Sequence, residues 1–176
     1  MVSRTLKNIF FLFLIFIVSC NVSDEEKTAQ FVPFRDFLNL VPGFEWFNLE
    51  YNKYNPDANI IQQIDSLWKV KGYRFYIFAN PSCNCDNTQS IFPMICKILK
   101  SSNVPDSAMF IYTMLNTSYK HPFMHKFSVK KLPSCFTEID SARSFYFSVI
   151  DTFELYRLKY PGKYPMERII LMSLEK

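Results

Sequence analysis

Glycine is scarce in this chain, with three among 176 residues. Loops that cradle nucleotide phosphates are built on closely spaced glycines, so a nucleotide-binding loop is not expected. Histidine occurs twice, and no Ser/His/Asp set or pair of carboxylates stands out for hydrolytic chemistry. A large excess of one charge is also missing, because 20 Lys and Arg stand against 16 Asp and Glu. This near balance argues against a nucleic-acid partner.

The apolar run at the N-terminus is too short to be a simple membrane anchor. Ile9–Val18 gives about ten apolar residues, whereas a helix that crosses a bilayer needs about 20. Basic residues at positions 4 and 7 precede the run, and a small residue and Cys20 follow it. This is the three-part layout of a secretory signal. We therefore predict that residues 1–19 are a signal peptide.

The end of this segment, Ile17-Val18-Ser19-Cys20, resembles the bacterial lipobox. The resemblance implies that Cys20 carries lipid, becomes the first residue of the mature protein and attaches it to a membrane. The alternative is an ordinary signal peptide that leaves Cys20 as a free thiol. Asn21 stands where an Asp would resemble an inner-membrane retention signal. An outer-membrane location is therefore favoured over an inner-membrane one, with the protein facing the periplasm or the cell surface.

The remainder of the chain has the composition of one globular domain. The whole sequence, at 49% hydrophobic and 18% aromatic residues, is too apolar for disorder. Residues 21–30 are polar and charged, which favours a flexible tether. We assign residues 20–43 to the lipidated cysteine, the tether and an N-terminal extension, and residues 44–176 to the domain.

Hydrophobic periodicity and turn residues predict the elements of this domain. An amphipathic helix should begin after Asp57, which can cap it, and stop at Gly72. A strand, a helix that contains Pro93 and a second strand should then form a right-handed parallel crossover. The other expected elements are a short first strand at Phe44–Leu49, strands at Tyr73–Ala79 and Ala108–Leu115, helices at Thr88–Lys100 and Pro122–Phe127, strands at Cys135–Ile139 and Phe145–Ile150 around a hairpin turn, a polar Tyr-rich loop, and a last helix at Met166–Leu174.

This order of strands and helices resembles the thioredoxin fold, an α/β fold with a central mixed sheet flanked by helices. The resemblance becomes specific where Cys83 and Cys85 lie between a strand and a helix. It is specific again at Leu132-Pro133, which is similar to the segment that carries the family's cis-proline ahead of a strand. The resemblance implies that Cys83 and Cys85 are catalytic thiols and that Leu132 and Pro133 face the substrate.

The cysteine motif departs from the family pattern, because Cys-x-Cys stands in place of Cys-x-x-Cys. Counted from Phe78, Cys83 is the nucleophile; counted back from Pro93, Cys85 is the nucleophile and Thr88 replaces its partner. A thiol at a helix N-terminus faces unpaired N–H groups and the positive end of the helix dipole, which favour thiolate. A disulfide across one intervening residue closes a small ring, so a Cys83–Cys85 bond is expected to be easily reduced.

The other candidate ligands and thiols have simpler expected roles. Cys96 and Cys135 are expected to be buried packing thiols, with a link from Cys135 to the Cys83/Cys85 pair left open. A weaker hypothesis has Cys83 and Cys85, with Cys135 or a methionine, bind a soft ion such as Cu(I). His121 and His125 are expected on a solvated face, because two ligands do not complete a metal site.

Two functions stay open from the sequence. The first is a lipid-anchored, extracytoplasmic thiol–disulfide oxidoreductase, without a cofactor, that exchanges with a protein thiol or disulfide. The alternative is a non-catalytic thioredoxin-like lipoprotein that binds a protein partner or Cu(I) through the same face.

Overall fold

A computed structural model describes residues 27–39, 41–81, 86–140 and 145–176. These residues form a mixed α/β fold with a five-stranded sheet and six α-helices. The expected signal peptide, Cys20, Cys83, Cys85 and the turn at 141–144 lie outside the described residues. In chain order the elements are β1 (Gln30–Phe31), α1 (Phe34–Phe37), α2 (Phe47–Lys53), α3 (Ala58–Lys71), β2 (Arg74–Ala79), α4 (Asp86–Ser101), β3 (Met109–Thr113), β4 (Ser134–Asp140), β5 (Phe145–Ser148), α5 (Val149–Lys159) and α6 (Met166–Leu174).

The strands lie in the order β1-β3-β2-β4-β5. β2 and β3 are parallel and are joined through α4, so the predicted parallel strand–helix–strand unit is confirmed. β1 pairs antiparallel with β3, and β4 pairs antiparallel with both β2 and β5. The result is a mixed sheet with β2 at its centre.

Local signals in the sequence explain why α3 begins and ends where it does. The Asp57 carboxylate accepts hydrogen bonds from the backbone N–H groups of Asn59 and Ile60, at 2.8 and 3.2 Å. Gly72 ends the helix in the left-handed conformation, at φ 63°, and its N–H bonds to the Trp68 carbonyl. The predicted cap and stop are both confirmed.

The two faces of the sheet are covered differently. Phe75, Ile77 and Ala79 of β2 pack against the helices, while Tyr76 and Phe78 point to the opposite face. Among the described residues, that second face is covered by an aromatic segment between β3 and β4 rather than by a helix. The members of this segment that pack there include Tyr119, Phe123, Phe127, Val129 and Leu132.

A cluster of phenylalanines fills the core between α1, α2 and α4. The fully buried Phe92 ring lies 5.1 Å from Phe37, 5.6 Å from Phe44 and 5.1 Å from Phe47, measured between ring centroids. The strand predicted at Phe44–Leu49 is therefore wrong, because a turn and the start of α2 occupy it. Phe44 lies in the turn before α2 and Phe47 is its first residue, and both rings pack against Phe92.

Two further predictions at element boundaries are corrected. The predicted strand Phe145–Ile150 ends at Ser148, and α5 begins at Val149 and takes up most of the predicted Tyr-rich loop. Val149 and Ile150 are apolar and buried in the helix, as they would be in a strand. The sequence pattern therefore did not show that the strand ends at Ser148. The short helix predicted at Pro122–Phe127 is a series of hydrogen-bonded turns.

The folded part of the chain reaches back beyond residue 44, the boundary expected from the sequence. Gln30 and Phe31 pair with Thr113 and Tyr112 at the edge of the sheet. Phe34 and Phe37 are buried in the main core, at 4% and 0% exposure. Part of the expected extension is thus built into the fold.

Candidate functional site

The carboxyl end of β2 and the start of α4 frame the segment that contains Cys83 and Cys85. β2 ends at Ala79, Pro81 continues the chain, and α4 begins at Asp86. Both cysteines lie outside the described residues. The strand before them in the sequence is β2, at the centre of the sheet, and the helix after them, α4, has 16 residues.

The Leu132–Pro133 peptide bond is cis. It lies next to the carboxyl end of β2. Ser134, the first residue of β4, pairs with Phe78 in an antiparallel register. One step further along this register, Pro133 stands across from Ala79. The cis bond therefore lies beside the end of β2, the strand that precedes the cysteines in the sequence, although Ala79 and Pro133 are about fifty residues apart in the chain.

Hydrogen bonds fix the backbone at the carboxyl ends of β2 and β3. The Asn80 side chain donates to the Leu115 carbonyl at 2.8 Å, and the Met114 N–H donates to the Ala79 carbonyl at 3.0 Å. Leu115 itself is 47% exposed, so an apolar side chain faces solvent next to Asn80. The backbone at this end of the sheet is thus held by hydrogen bonds, and an apolar side chain is exposed beside it.

Gly43 lies in the loop before α2 and packs closely against Pro81, which follows β2 in the chain. A Cβ added to Gly43 would lie 2.9 Å from the Pro81 Cβ and 3.1 Å from its carbonyl oxygen. Gly43 also has φ at +82°, which side chains rarely adopt. The loop before α2 is therefore packed directly on the chain that leads into the cysteine segment.

Replacement of Gly43 by alanine is expected to lower the free energy of unfolding by about 2–3 kcal/mol, because backbone strain and the contact with Pro81 add together. Gly162→Ala is the matched control: Gly162 has φ +73°, but its added Cβ would meet nothing within 4 Å. We expect a cost of only about 1 kcal/mol for the control. Urea unfolding measures both variants, and equal losses would contradict the contact with Pro81.

Cys96 and Cys135 are free and fully buried, as predicted for packing thiols. Burial raises the pKa of both thiols, so neither is poised to become a thiolate. Cys135 pairs with Ile77 in the register and packs on the helix-covered face of the sheet. Within the described ranges, no group of three or more His, Cys, Asp or Glu side chains is placed to hold a metal ion.

A cavity of about 470 Å³ opens beside residues 131–134, which we call the cis-proline segment. Residues of β4 and β5 also line it. Sequence reasoning missed it because its lining comes from parts of the chain that meet only in the fold. Lys131, which directly precedes Leu132, bonds to Asp151 at 2.7 Å and to Glu154 at 2.5 Å. The Ser134 hydroxyl donates to the Lys131 carbonyl at 2.6 Å. These bonds hold the cis-proline segment against α5.

A buried carboxylate anchors the aromatic segment to the sheet behind this cavity. Glu138, 5% exposed, accepts hydrogen bonds from Tyr76 at 2.8 Å and Tyr146 at 3.2 Å, and Lys126 lies 3.5 Å away. Burial, together with the bond to Glu138, raises the pKa of Tyr76. Both tyrosines therefore stay protonated and donate to the carboxylate at neutral pH.

The two histidines differ in their surroundings, which corrects the prediction of one solvated face. His125 is exposed, but His121 packs 4.8 Å from the Phe78 ring and 5.8 Å from the Phe127 ring, between centroids. Its Nδ1 atom is buried without a hydrogen-bond partner among the described residues. Burial lowers the pKa of His121, because the charged form would lose its hydration.

This histidine is expected to make stability depend on pH. The unfolded chain binds a proton near pH 6.5, whereas the folded chain binds it only at lower pH. The contribution is therefore present above pH 6.5 and is lost as pH falls through the lowered pKa. Thermal melts at pH 7.5 and 5.5 should show a smaller fall in Tm for His121→Phe than for the wild type. The same fall in both proteins would contradict the prediction, and His125→Gln serves as the control.

Comparison of the chain with protein-family models, with curated proteins and with solved structures gave no match. Among the described residues, no helix combines the length and apolar character needed to cross a bilayer.

Proposed function

We propose that this chain is a lipid-anchored thioredoxin-like protein that carries out thiol–disulfide exchange with a protein partner outside the cytoplasm. Cys83 and Cys85 are the reacting thiols, Leu132 and Pro133 face the partner, and Cys20 carries the lipid. No cofactor takes part.

One observation carries the proposal: the cis Leu132–Pro133 bond lies next to the end of β2, the strand that precedes both cysteines in the sequence. A parallel crossover through α4 and the antiparallel strands β4 and β5 support the thioredoxin-like assignment. The 16 residues of α4 give the helix dipole that stabilises a thiolate just before its first turn. The buried Cys96 and Cys135 leave Cys83 and Cys85 as the candidate reactive thiols of the domain.

The exchange proceeds in two balanced steps. The thiolate of one cysteine attacks a partner disulfide, forms a mixed disulfide and releases one partner sulfur as a thiolate, which takes up a proton from water. The second cysteine, as a thiolate, then attacks the mixed disulfide and releases the other partner sulfur. The partner gains two electrons and Cys83–Cys85 becomes a disulfide; the reverse sequence oxidises a partner dithiol.

The features at this edge suit a protein partner. Leu115 is exposed, Leu132 is half-buried, and the 470 Å³ cavity is lined by Lys131 and Ser134, the residues on either side of Leu132–Pro133. An extended peptide laid along this edge can cover the apolar rim and place a side chain in the cavity. The lysines and aromatic rings of the cavity wall can bond and pack against such a side chain.

Site-resolved alkylation tests the proposed thiols. With iodoacetamide between pH 5 and 9, we expect one of Cys83 and Cys85 to react as a thiolate below the usual thiol pKa of about 8.5. Cys96 and Cys135 should react only after unfolding. If Cys83 and Cys85 are as inert as the buried pair, the oxidoreductase proposal fails and a non-catalytic binding module takes its place.

The lipid anchor has a separate test. Cys20→Ala should move the protein from the membrane fraction to the soluble fraction, or leave an unprocessed precursor of higher mass. Cys96→Ala controls for the loss of a thiol. A mature-sized Cys20→Ala protein that stays with the membrane after a high-salt wash, which removes electrostatic binding, would contradict lipid attachment at this residue.

A further inference from the structure

The end of α5 and the turn after it expose an uninterrupted stretch of chain. Every residue from Arg157 to Lys163 is exposed. Two large apolar side chains of α5 point into solvent here, with Leu158 at 80% and Leu155 at 58% exposure, and Tyr160 follows at 38%. Single exposed leucines are ordinary, but neighbouring ones on one surface mark an interaction site.

The same stretch is strongly cationic. Residues 155–163 carry Arg157, Lys159 and Lys163 and no acidic residue. None of these three cations forms an ion pair with a described residue, whereas the nearest acids on the helix, Asp151 and Glu154, are bonded to Lys131. The surface therefore presents uncompensated positive charge between apolar side chains.

We propose that the surface formed by residues 155–163 lies on the anionic headgroups of a lipid bilayer. Cations attract a negatively charged leaflet, while leucine side chains enter the boundary between headgroups and acyl chains. Tyrosine is enriched at the same depth, because its ring is apolar and its hydroxyl stays wet. All three residue types stand together on this surface.

The alternation of charge and apolar groups favours a membrane over a protein partner. The buried centre of a protein interface is depleted in lysine, because a charge there must be desolvated and paired. Here Arg157 and Lys159 flank Leu158 on the helix, each about 100° around the axis, so both cations stand beside any surface that covers Leu158. At a bilayer the apolar side chain inserts while the long cationic side chains reach the phosphate groups.

The geometry of the chain allows this contact together with a lipid on Cys20, the one step that depends on the proposed anchor. α5 follows β5, at the opposite edge of the sheet from β1. The sheet has five strands, so four inter-strand spacings separate β1 from β5, about 19 Å in all. The stretch from Cys20 to Lys27 can span at most about 25 Å. The tether is thus longer than the sheet is wide, and a lipid on Cys20 does not by its length exclude contact of α5 with the same bilayer.

Vesicle binding tests the surface independently of the lipid and of the thiols. The buried core runs from Phe34 to Leu174, so residues 21–176 keep the whole described fold and lack Cys20. These residues are mixed with phosphatidylcholine vesicles, with or without about 30% phosphatidylglycerol, and bound protein is separated by flotation. We expect at least about tenfold stronger binding to the anionic vesicles, and loss of most of that difference at high salt.

Variants locate the contact. Leu158→Glu should lower binding to anionic vesicles by about tenfold or more, and the double change Lys159→Glu and Lys163→Glu by about 10- to 100-fold. Val70→Glu is the matched control, because Val70 is 81% exposed between Lys69 and Lys71 on α3 and should change binding little. Equal binding to both vesicle types, or equal losses for Leu158→Glu and Val70→Glu, would overturn the proposal.

Discussion

Replacement of both Cys83 and Cys85 by serine is expected to slow exchange with a peptide disulfide by at least about 100-fold. Serine preserves size and polarity, but its hydroxyl is almost never ionised at neutral pH and is a poor nucleophile toward sulfur. Cys96→Ala and Cys135→Ala should leave the rate within about twofold, because both thiols are fully buried. The measurement is the release of the reduced peptide over time.

The two single variants decide which cysteine attacks first. A protein that keeps the nucleophile and lacks the resolving thiol should accumulate a mixed disulfide with the peptide, visible as an added mass. A protein that lacks the nucleophile should accumulate none. Counting from Phe78 assigns the attack to Cys83, and counting back from Pro93 assigns it to Cys85. If the double variant exchanges as fast as the wild type, neither assignment holds.

Phe92→Ala should cause the largest loss of stability, about 3–5 kcal/mol, with a fall in Tm of roughly 10 °C or more. The Phe92 ring is fully buried against Phe37, Phe44 and Phe47, so its removal leaves a cavity that rigid neighbours close only in part. This loss is a large share of the 5–15 kcal/mol that is typical of whole domains.

The control for Phe92→Ala is Phe31→Ala, in the edge strand β1. Phe31 is 52% exposed and has one ring contact, with Tyr112 at 5.6 Å between centroids. Its removal should cost less than about 1 kcal/mol. Urea unfolding midpoints compare the two variants. A similar cost for both would contradict the placement of the phenylalanine cluster at the centre of the core.

Elements with strong local signals could be predicted from the sequence alone. Asp57 and Gly72 marked the two ends of α3, and the aromatic run after Gly72 marked β2. The last helix, α6, has the predicted bounds Met166–Leu174. In each case residues within a few positions of one another determine the conformation, so a single sequence carries the information.

The missed elements depend on partners far away in the chain. β1 has only Gln30 and Phe31, and it is a strand only because Thr113 and Tyr112 pair with it. The aromatic segment after β3 has no regular periodicity, since its rings are placed by the sheet face they cover. The cavity lysines carried no recognisable motif, because Glu138 and Asp151, which orient Lys126 and Lys131, come from other elements.

The candidate site was predictable as two separate regions but not as one place. The resemblance pointed to Cys83 and Cys85 and to Leu132 and Pro133 separately. The position of Leu132 and Pro133 beside the end of β2 follows from the pairing of Phe78 with Ser134, which no local pattern encodes. Gly43 belongs to the same site through its contact with Pro81, and only the fold reveals that role.

A redox titration tests reversible exchange at Cys83 and Cys85 most directly. The mature protein is equilibrated in glutathione buffers from about −300 to −120 mV, quenched with acid, alkylated and mapped by mass spectrometry. We expect one reversible two-electron transition that links Cys83 to Cys85, while Cys96 and Cys135 remain thiols throughout. If Cys83 and Cys85 stay reduced across the whole range, or pair with other residues instead, the proposed chemistry is wrong.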